Sequence, residues 1–413
     1  MTSIVVGSPG DTPHLVGTRV DALARVCRVD GTSGRLPVPD GGSGSVTLDA
    51  DGWLAIPAPA EPHAHLDKAL TAARLPAGTG HDLPAAVAAW KAMSPAFGPD
   101  DVTARALAAV GRSLAHGTTA IRTHVDVRPV DAGDRLAGLD ALVALRDRLR
   151  GTVDLQLCLL PNWEAPTTLI DEAVDHGVDV LGGCPHLAPD PRHEVTRLLD
   201  VAERTGLPVD LHADERLDGP DRLDVAELAD QVLARGLTQQ VTASHVVRLG
   251  VLEPAARTRV IDRIVAAGIG VVTNPITNLY LQARDVTHRA PRGLTAVREL
   301  LAAGVPVAAG ADNLRDPFNP VGRADAFETT SLLVTAAHLT PAQALAAVTT
   351  DARRLLGIDG GDGDLVLVPV TSEDPLGDAL AGAADARIVV HRGRVVADTR
   401  CARTVDLPEL TTV

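Results

Sequence analysis

Short β-branched runs alternate with Ala/Leu-rich stretches eight times through the middle of this chain, and few folds accommodate that rhythm. The runs fall at about 53–63, 118–125, 152–160, 178–184, 207–212, 240–245, 268–273 and 304–310. Helix-like composition fills the gaps, as at 102–115, 134–150, 194–205, 226–235 and 294–303. Strand then helix, repeated over roughly 250 residues, predicts an α/β architecture built on a parallel (β/α)8 TIM barrel. The ends of the chain have a different texture, with short strands broken by Gly, Pro and Asp. They predict a small β-sandwich domain formed by both termini, residues 1–57 and 358–413, around a barrel at 58–357.

In such barrels chemistry sits where the strands end, at the C-terminal face. The expected strands end as follows: His63 and His65; Arg122-Thr-His124-Val-Asp126; Pro161-Asn162-Trp163; Gly183-Cys-Pro-His186; His212-Ala-Asp-Glu215; Ser244-His245; Thr273-Asn274-Pro275; and Ala311-Asp312-Asn313. In an extended strand, residues i and i+2 share a face, so His63 and His65 can reach one metal ion. Singly, these groups have ordinary explanations. His124 or His186 reads as a hydrogen-bonded structural histidine, Asp312 as a helix N-cap and Glu215 as a helix-start carboxylate. The order HxH, His, His, Asp on strands one, five, six and eight is a different matter, because it assembles a constellation at one end of one barrel.

Composition narrows the classes. A net charge of −15, from 38 basic and 53 acidic side chains, disfavours a protein that tracks nucleic-acid phosphates. Cys27, Cys158, Cys184 and Cys401 are far apart and show no CxxC spacing. A disulfide framework or thiolate zinc site is therefore not expected, and a cytoplasmic setting is. The first residues have no basic, apolar signal pattern, and no apolar run reaches membrane-spanning length. Aromatic residues make up only 2% of the chain, so Trp90, Trp163, Tyr280 and Phe318 stand out as candidates for stacking on a substrate or for plain packing. The HxE and PCxxC motifs of the small zinc-dependent base deaminases are missing from the sequence.

Ten stretches together carry a resemblance. They are Glu61-Pro-His-Ala-His-Leu-Asp67, Arg122-Thr-His-Val-Asp-Val127, Asp154-Leu-Gln156, Pro185-His186, His212-Ala-Asp-Glu215, Val241-Thr-Ala-Ser-His245, Asn274-Pro275, Leu281-Gln282, Arg292-Gly293, and Asp312 with Asp316-Pro317. Over about residues 55–355 the chain resembles the amidohydrolase superfamily, and within it the cytosine deaminase family. The likeness implies one divalent metal, held by His63, His65, His212 and Asp312. Such an N/O set suits Zn2+ or Fe2+. A metal of this kind lowers the pKa of a bound water towards about 7 and makes it the nucleophile. By the same likeness Asp312 also accepts a proton from the water, Glu215 shuttles protons, and His245 steadies developing charge. No lysine for a second metal stands beside Gly183-Cys-Pro185, which implies a mononuclear site.

The chain departs from the cytosine deaminase pattern at recognition positions. Asn313 stands where that family carries a second Asp, Asn162 where it carries Gln, Ala311 where it carries His, Lys68 where it carries a small polar residue, and Phe318 where it carries Trp. We expect Asn162, Trp163, Gln282, Asn313 and Phe318 to read the substrate, with Lys68 as an anchor or a solvated surface lysine. The resemblance implies a hydrolase that deaminates a small aminated N-heterocycle or cyclic amidine, releasing ammonia, with no nucleic-acid or membrane partner and a homo-oligomeric state. The altered positions keep two alternatives open, hydrolysis of another C–N bond (loss of an alkylamine from a triazine-like ring, or opening of a cyclic amide or imide) and a non-catalytic binding protein with a relic metal site.

Overall fold

The structure is a computed structural model that describes residues 3–7, 14–129, 132–219, 222–358, 363–381 and 386–400. Cys401 and the Pro9-Gly10-Asp11 segment near the start lie outside the described residues. Two units are present, one formed by Met1–Ala58 with Gly361–Val413 and one by Pro59–Gly360. The strands, in chain order, are β1 (Ser3–Val5), β2 (Val20–Arg28), β3 (Ser33–Pro37), β4 (Val46–Asp49) and β5 (Trp53–Pro57). Then come β6 (Ala60–Ala64), β7 (Ala120–Asp126), β8 (Asp154–Leu160), β9 (Val180–Gly183), β10 (Val209–Ala213), β11 (Val241–His245), β12 (Gly270–Thr273) and β13 (Val307–Ala309). The last are β14 (Leu365–Pro369), β15 (Ile388–His391) and β16 (Arg394–Asp398).

In the unit built from the termini, β1 to β5 and β14 to β16 form one mixed, curled sheet. Its core includes Val20, Leu23 and Val26 of β2, whose pairing register shifts between them, and Leu48, Leu367, Ile388 and Val390. The run expected as a single barrel strand at 53–63 is two strands. Trp53–Pro57 pairs antiparallel with β14, and only Ala60–Ala64 enters the barrel, beside β7. Pro57 and Pro59 have no N–H to donate to a ladder, so the chain changes sheets between them.

The second unit is an eight-stranded parallel (β/α)8 barrel in the order β6 to β13. Its helices have readable ends. Asp190 caps Pro191–Thr205 by accepting from the His193 N–H, and Gly206 ends it at φ 75°. Val195, Leu198, Leu199 and Ala202 form the buried stripe of that helix, at the spacing of an amphipathic helix.

First and last strands meet through the parallel bridge between Ala64 and Asp312. Glu61 clamps that seam. Its Oε1 accepts the His63 N–H at 3.0 Å and its Oε2 accepts the Ala311 N–H at 2.8 Å. Gly310 leaves room for it, because a Cβ there would collide with Glu61 Oε1 and Asn274 Oδ1. Burial pushes the Glu61 carboxyl up to about 8, against the N–H bonds from Ala311, His63 and Asp312 that favour the anion. Glu61→Ala strands at least the His63 and Ala311 donors. At about 1–3 kcal/mol each, it should lower stability by about 2–6 kcal/mol in denaturant unfolding of the metal-free protein. Wild-type stability in that variant would show that the seam does not need the clamp.

Candidate metal centre and active site

The period of two on β6 and the ends of three further strands bring five groups to one point. His63 lies in β6 and His65 just beyond it, His212 lies in β10, His245 ends β11, and Asp312 follows β13. All five are buried. His63 Nε2 and His212 Nε2 are 3.1 Å apart, and His212 Nε2 and His65 Nε2 are 3.3 Å apart. Asp312 Oδ1 lies 3.3 Å from His65 Nε2 and 3.8 Å from His63 Nε2. His245 Nδ1 is 3.9 Å from Asp312 Oδ2 and also contacts Asn278 Nδ2 at 3.0 Å.

Burial, followed by crowding from neighbouring imidazoles and Lys68, holds His63, His65 and His212 well below the ordinary histidine range. They are neutral, the state in which a ring nitrogen can bind a cation. Burial and the nearby Glu215 charge push Asp312 well above the carboxylate range, and both its oxygens are buried without a hydrogen-bond partner. Neutral imidazoles and an unsatisfied carboxylate around one point fit a single divalent cation, whose charge removes the penalty on Asp312. Asp214, His245, Val246 and Asp312 all have positive φ, at 50°, 70°, 46° and 66°. Strained non-glycine backbone of this kind concentrates at functional sites.

Glu215 sits beside this cluster in the loop after β10. Its Oε1 is 3.8 Å from His245 Nδ1 and its Oε2 is 3.4 Å from His186 Nε2. Burial alone would raise the carboxyl; His245 and His186 outweigh it and hold Glu215 below its ordinary range. His186 Nδ1 reaches the His212 carbonyl at 3.1 Å, which orients the ring. Glu215 does not start a helix. The helix Asp224–Arg235 begins later, and Asp214 accepts from the Asp224 and Val225 N–H groups at 2.9 Å each. That clamp fixes the turn carrying Glu215. Asp312 caps no helix either.

A cavity of about 780 Å3 opens above the cluster. His65, His212, Glu215, His245 and Asp312 line it, together with Lys68, Trp90, Asp126, Asn162, Trp163, Asn313 and Phe318. Lys68 is buried, which overturns the solvated alternative. Its Nζ is 3.1 Å from Asp126 and lies 5.0 and 5.7 Å from the ring centres of Phe318 and Trp90. Burial alone would lower its pKa, but Asp126 and Asp67 keep it above the ordinary lysine value. Trp163, 42% exposed, stands among the lining residues with the largest open surface.

Other expected substrate readers sit differently. Gln282 is not among the lining residues; its Nε2 donates to the Glu215 carbonyl at 2.7 Å. Asn313 lines the cavity, but its amide is held by Thr277 at 3.2 Å and Asp316 at 2.8 Å. Tyr280 hydrogen-bonds with His81 at 2.9 Å, outside the lining. Asp126, Asp214 and Glu61 stand in the strand-end and matching stretches of the sequence but carry no role there. An Asp two residues beyond His124 on the same strand face was the available signal for Asp126.

Comparison with known proteins decides the family. The amidohydrolase family model matches residues 159–397. This chain is a member of the amidohydrolase family. A pterin deaminase from Rhizobium rhizogenes is 32% identical over 357 residues, 82% of this chain and 79% of that protein. Crystal structures agree. A 5-methylcytosine deaminase from Klebsiella pneumoniae liganded with 5-fluorocytosine superposes with a TM-score of 0.83 at 27% identity, covering 94% of this chain and 99% of that one. An N-isopropylammelide isopropylaminohydrolase from Burkholderia multivorans gives 0.76 at 28% identity, covering 92% and 99%.

This amidohydrolase is accordingly a hydrolase of non-peptide C–N bonds, with a His/Asp cluster suited to a divalent metal. Among the described residues, no helix is long and apolar enough to cross a membrane. Divalent cation added to chelator-stripped protein should raise the unfolding temperature. Cation at 100 times Kd stabilises by about 2.7 kcal/mol, and Asp312→Asn should remove most of that gain. A cation response that survives Asp312→Asn would place the binding elsewhere.

Proposed function

We propose that this amidohydrolase deaminates an aminated N-heterocycle or cyclic amidine by adding water to the ring carbon and expelling ammonia. The observation that carries the reading is Glu215, an anionic carboxylate held between His186 and His245 at the edge of the His/Asp cluster and on the cavity wall. His63, His65, His212 and Asp312 would hold the cation, Zn2+ or Fe2+ by the chemistry of the donors. When bound, it supplies Lewis-acid activation of the attacking water.

The protein's own groups do the rest. Glu215 takes one proton from the water and gives it to a ring nitrogen, then relays a second proton, which Asp312 accepts from the hydroxyl added to the ring carbon, to the leaving amine as the C–N bond breaks and the C=O bond forms, a task that typically contributes about 10²–10⁴-fold. Its carboxylate starts ionised, as a proton acceptor must. Gln282 steadies its backbone carbonyl and His186 its side chain. Asp312 is the second proton acceptor, and His245, anchored by Asn278, faces the charge that develops on the ring. Lys68, fixed by Asp126 between Trp90 and Phe318, donates to an oxo group of the substrate, while the two rings cover its apolar faces. Asn162 and Trp163 complete that wall. The similarity to a pterin deaminase and a 5-methylcytosine deaminase supports ammonia as the leaving group. The likeness to an isopropylaminohydrolase favours a second reading, release of an alkylamine at the same centre.

The test is ammonia release by cation-loaded protein over cytosine, 5-substituted cytosines, isocytosine, isoguanine, creatinine, pterin and amino-s-triazines. Glu215→Gln should retain the cation and lose about 10²–10⁴-fold in kcat. Alkylamine in place of ammonia from N-alkylated triazines would move the assignment to the second reading. Full activity in Glu215→Gln would remove the proposed proton shuttle.

A further inference from the structure

We propose that His124 is an additional member of the cation's donor set, seated by Asp210. The inference rests on the reading that a divalent cation occupies the His/Asp cluster. On β7 the residues Arg122, His124 and Asp126 share one face by the period of two, and that face points into the barrel. Arg122 reaches Asp210 on β10, and Asp126 reaches Lys68 at the cavity. His124 lies between these levels, fully buried.

Its ring centre is 4.0 Å from that of His63, 4.8 Å from that of His212 and 5.5 Å from that of His65. One of its ring nitrogens lies within 4.8 Å of the ligand atoms of all three. Neither ring nitrogen has a hydrogen-bond partner. A buried imidazole that serves only packing is expected to pair both nitrogens, one as donor and one as acceptor. Burial and the nearby Arg122 and Lys68 charges hold this ring well below the ordinary histidine range, so it is neutral.

Asp210 supplies the other half of the arrangement. Its Oδ2 stands 3.6 Å from His124 Nε2, slightly beyond a hydrogen bond. The carboxylate is anchored from other sides, by Arg122 Nη1 at 3.0 Å and Ser244 Oγ at 2.7 Å. Arg122 in turn donates to Gln156 Oε1 and to the Leu355 carbonyl, both at 3.2 Å. A small movement of the ring would bring Nε2 within hydrogen-bond distance of Asp210, and Nδ1 would then be the nitrogen left for the cation. A carboxylate behind an imidazole is the common support of a metal-binding histidine.

Cobalt is the probe, because its visible absorption reports the number and geometry of its ligands. Chelator-stripped protein is loaded with Co2+, its spectrum recorded and its affinity measured by chelator competition, for wild type and His124→Asn. We expect affinity to fall about 10–100-fold and the visible bands to change in intensity. Unchanged affinity and bands would overturn the assignment. So would weaker binding with the wild-type spectrum, which would make His124 a packing residue only. Should His124→Asn not fold, X-ray absorption at the cobalt edge of a His245→Asn variant decides: four coordinated imidazoles support His124, and three overturn it. A wild-type protein that takes up no cation removes the cluster reading itself, and this inference with it; cation bound equally by both proteins removes this inference alone.

Discussion

The centre depends on one carboxyl group outside the cavity lining. Glu61 joins the first strand to the segment after the last one, accepting N–H groups from His63 and Ala311. A parallel barrel can close only if its two end strands are held in register. Here the backbone ladder between them is thin, a single bridge at Ala64 and Asp312. The same few residues carry His63, His65 and Asp312, so the geometry of the seam is also the geometry of the ligands. Closing the barrel and aiming three of the four expected ligands are one event, and Gly310 is small because Glu61 occupies the space beside it.

The remaining polar groups inside the barrel follow from that arrangement. A cluster of neutral imidazoles and one raised carboxylate is a poor core on its own, since buried polar groups cost free energy unless satisfied. The chain surrounds it with further fixed charges. Arg122 and Asp210 pair within the barrel, and Lys68 and Asp126 pair at the cavity wall. Asp214 holds the turn that brings Glu215 over the cluster. Positive φ at Asp214, His245 and Asp312 belongs to the same pattern, in which local backbone cost is tolerated where the surrounding barrel determines the conformation.

The clustering of these histidines and Asp312 was legible because strand periodicity is a short-range rule. His63 and His65 had to share a face, and His212, His245 and Asp312 each fell at a strand end that Val, Ile and Ala runs had already marked. What failed to show in the sequence depended on distant partners. Lys68 reads equally as an anchor or as a surface lysine until Asp126, Trp90 and Phe318 close around it. Gln282 and Asn313 have the amides of substrate readers, yet Gln282 is bonded to Glu215 and Asn313 is held by Thr277 and Asp316. The strand break at 57–59 had a local signal, two prolines, that a continuous apolar run masked. Glu61 has no local signal at all, because its partner Ala311 is far along the chain.

The candidate site divides between strands and loops. His63, His65, His212, His245 and Asp312 sit on or immediately beyond strands locked by the parallel ladder, so their spacing changes little without disrupting the barrel. Lys68, Trp90, Asn162, Trp163 and Phe318 sit on loops and on the helix Leu83–Met93, where sequence can vary at small cost to the fold. Three of the five departures from the cytosine deaminase pattern, Lys68, Asn162 and Phe318, fall in the second group and two, Ala311 and Asn313, flank Asp312, while the His/Asp cluster and Glu215 keep the residues of that pattern. On the proposed function, the floor of the cavity would set the chemistry and its wall the selectivity. Lys68, buried against Asp126, places a cation where that pattern has a small polar residue.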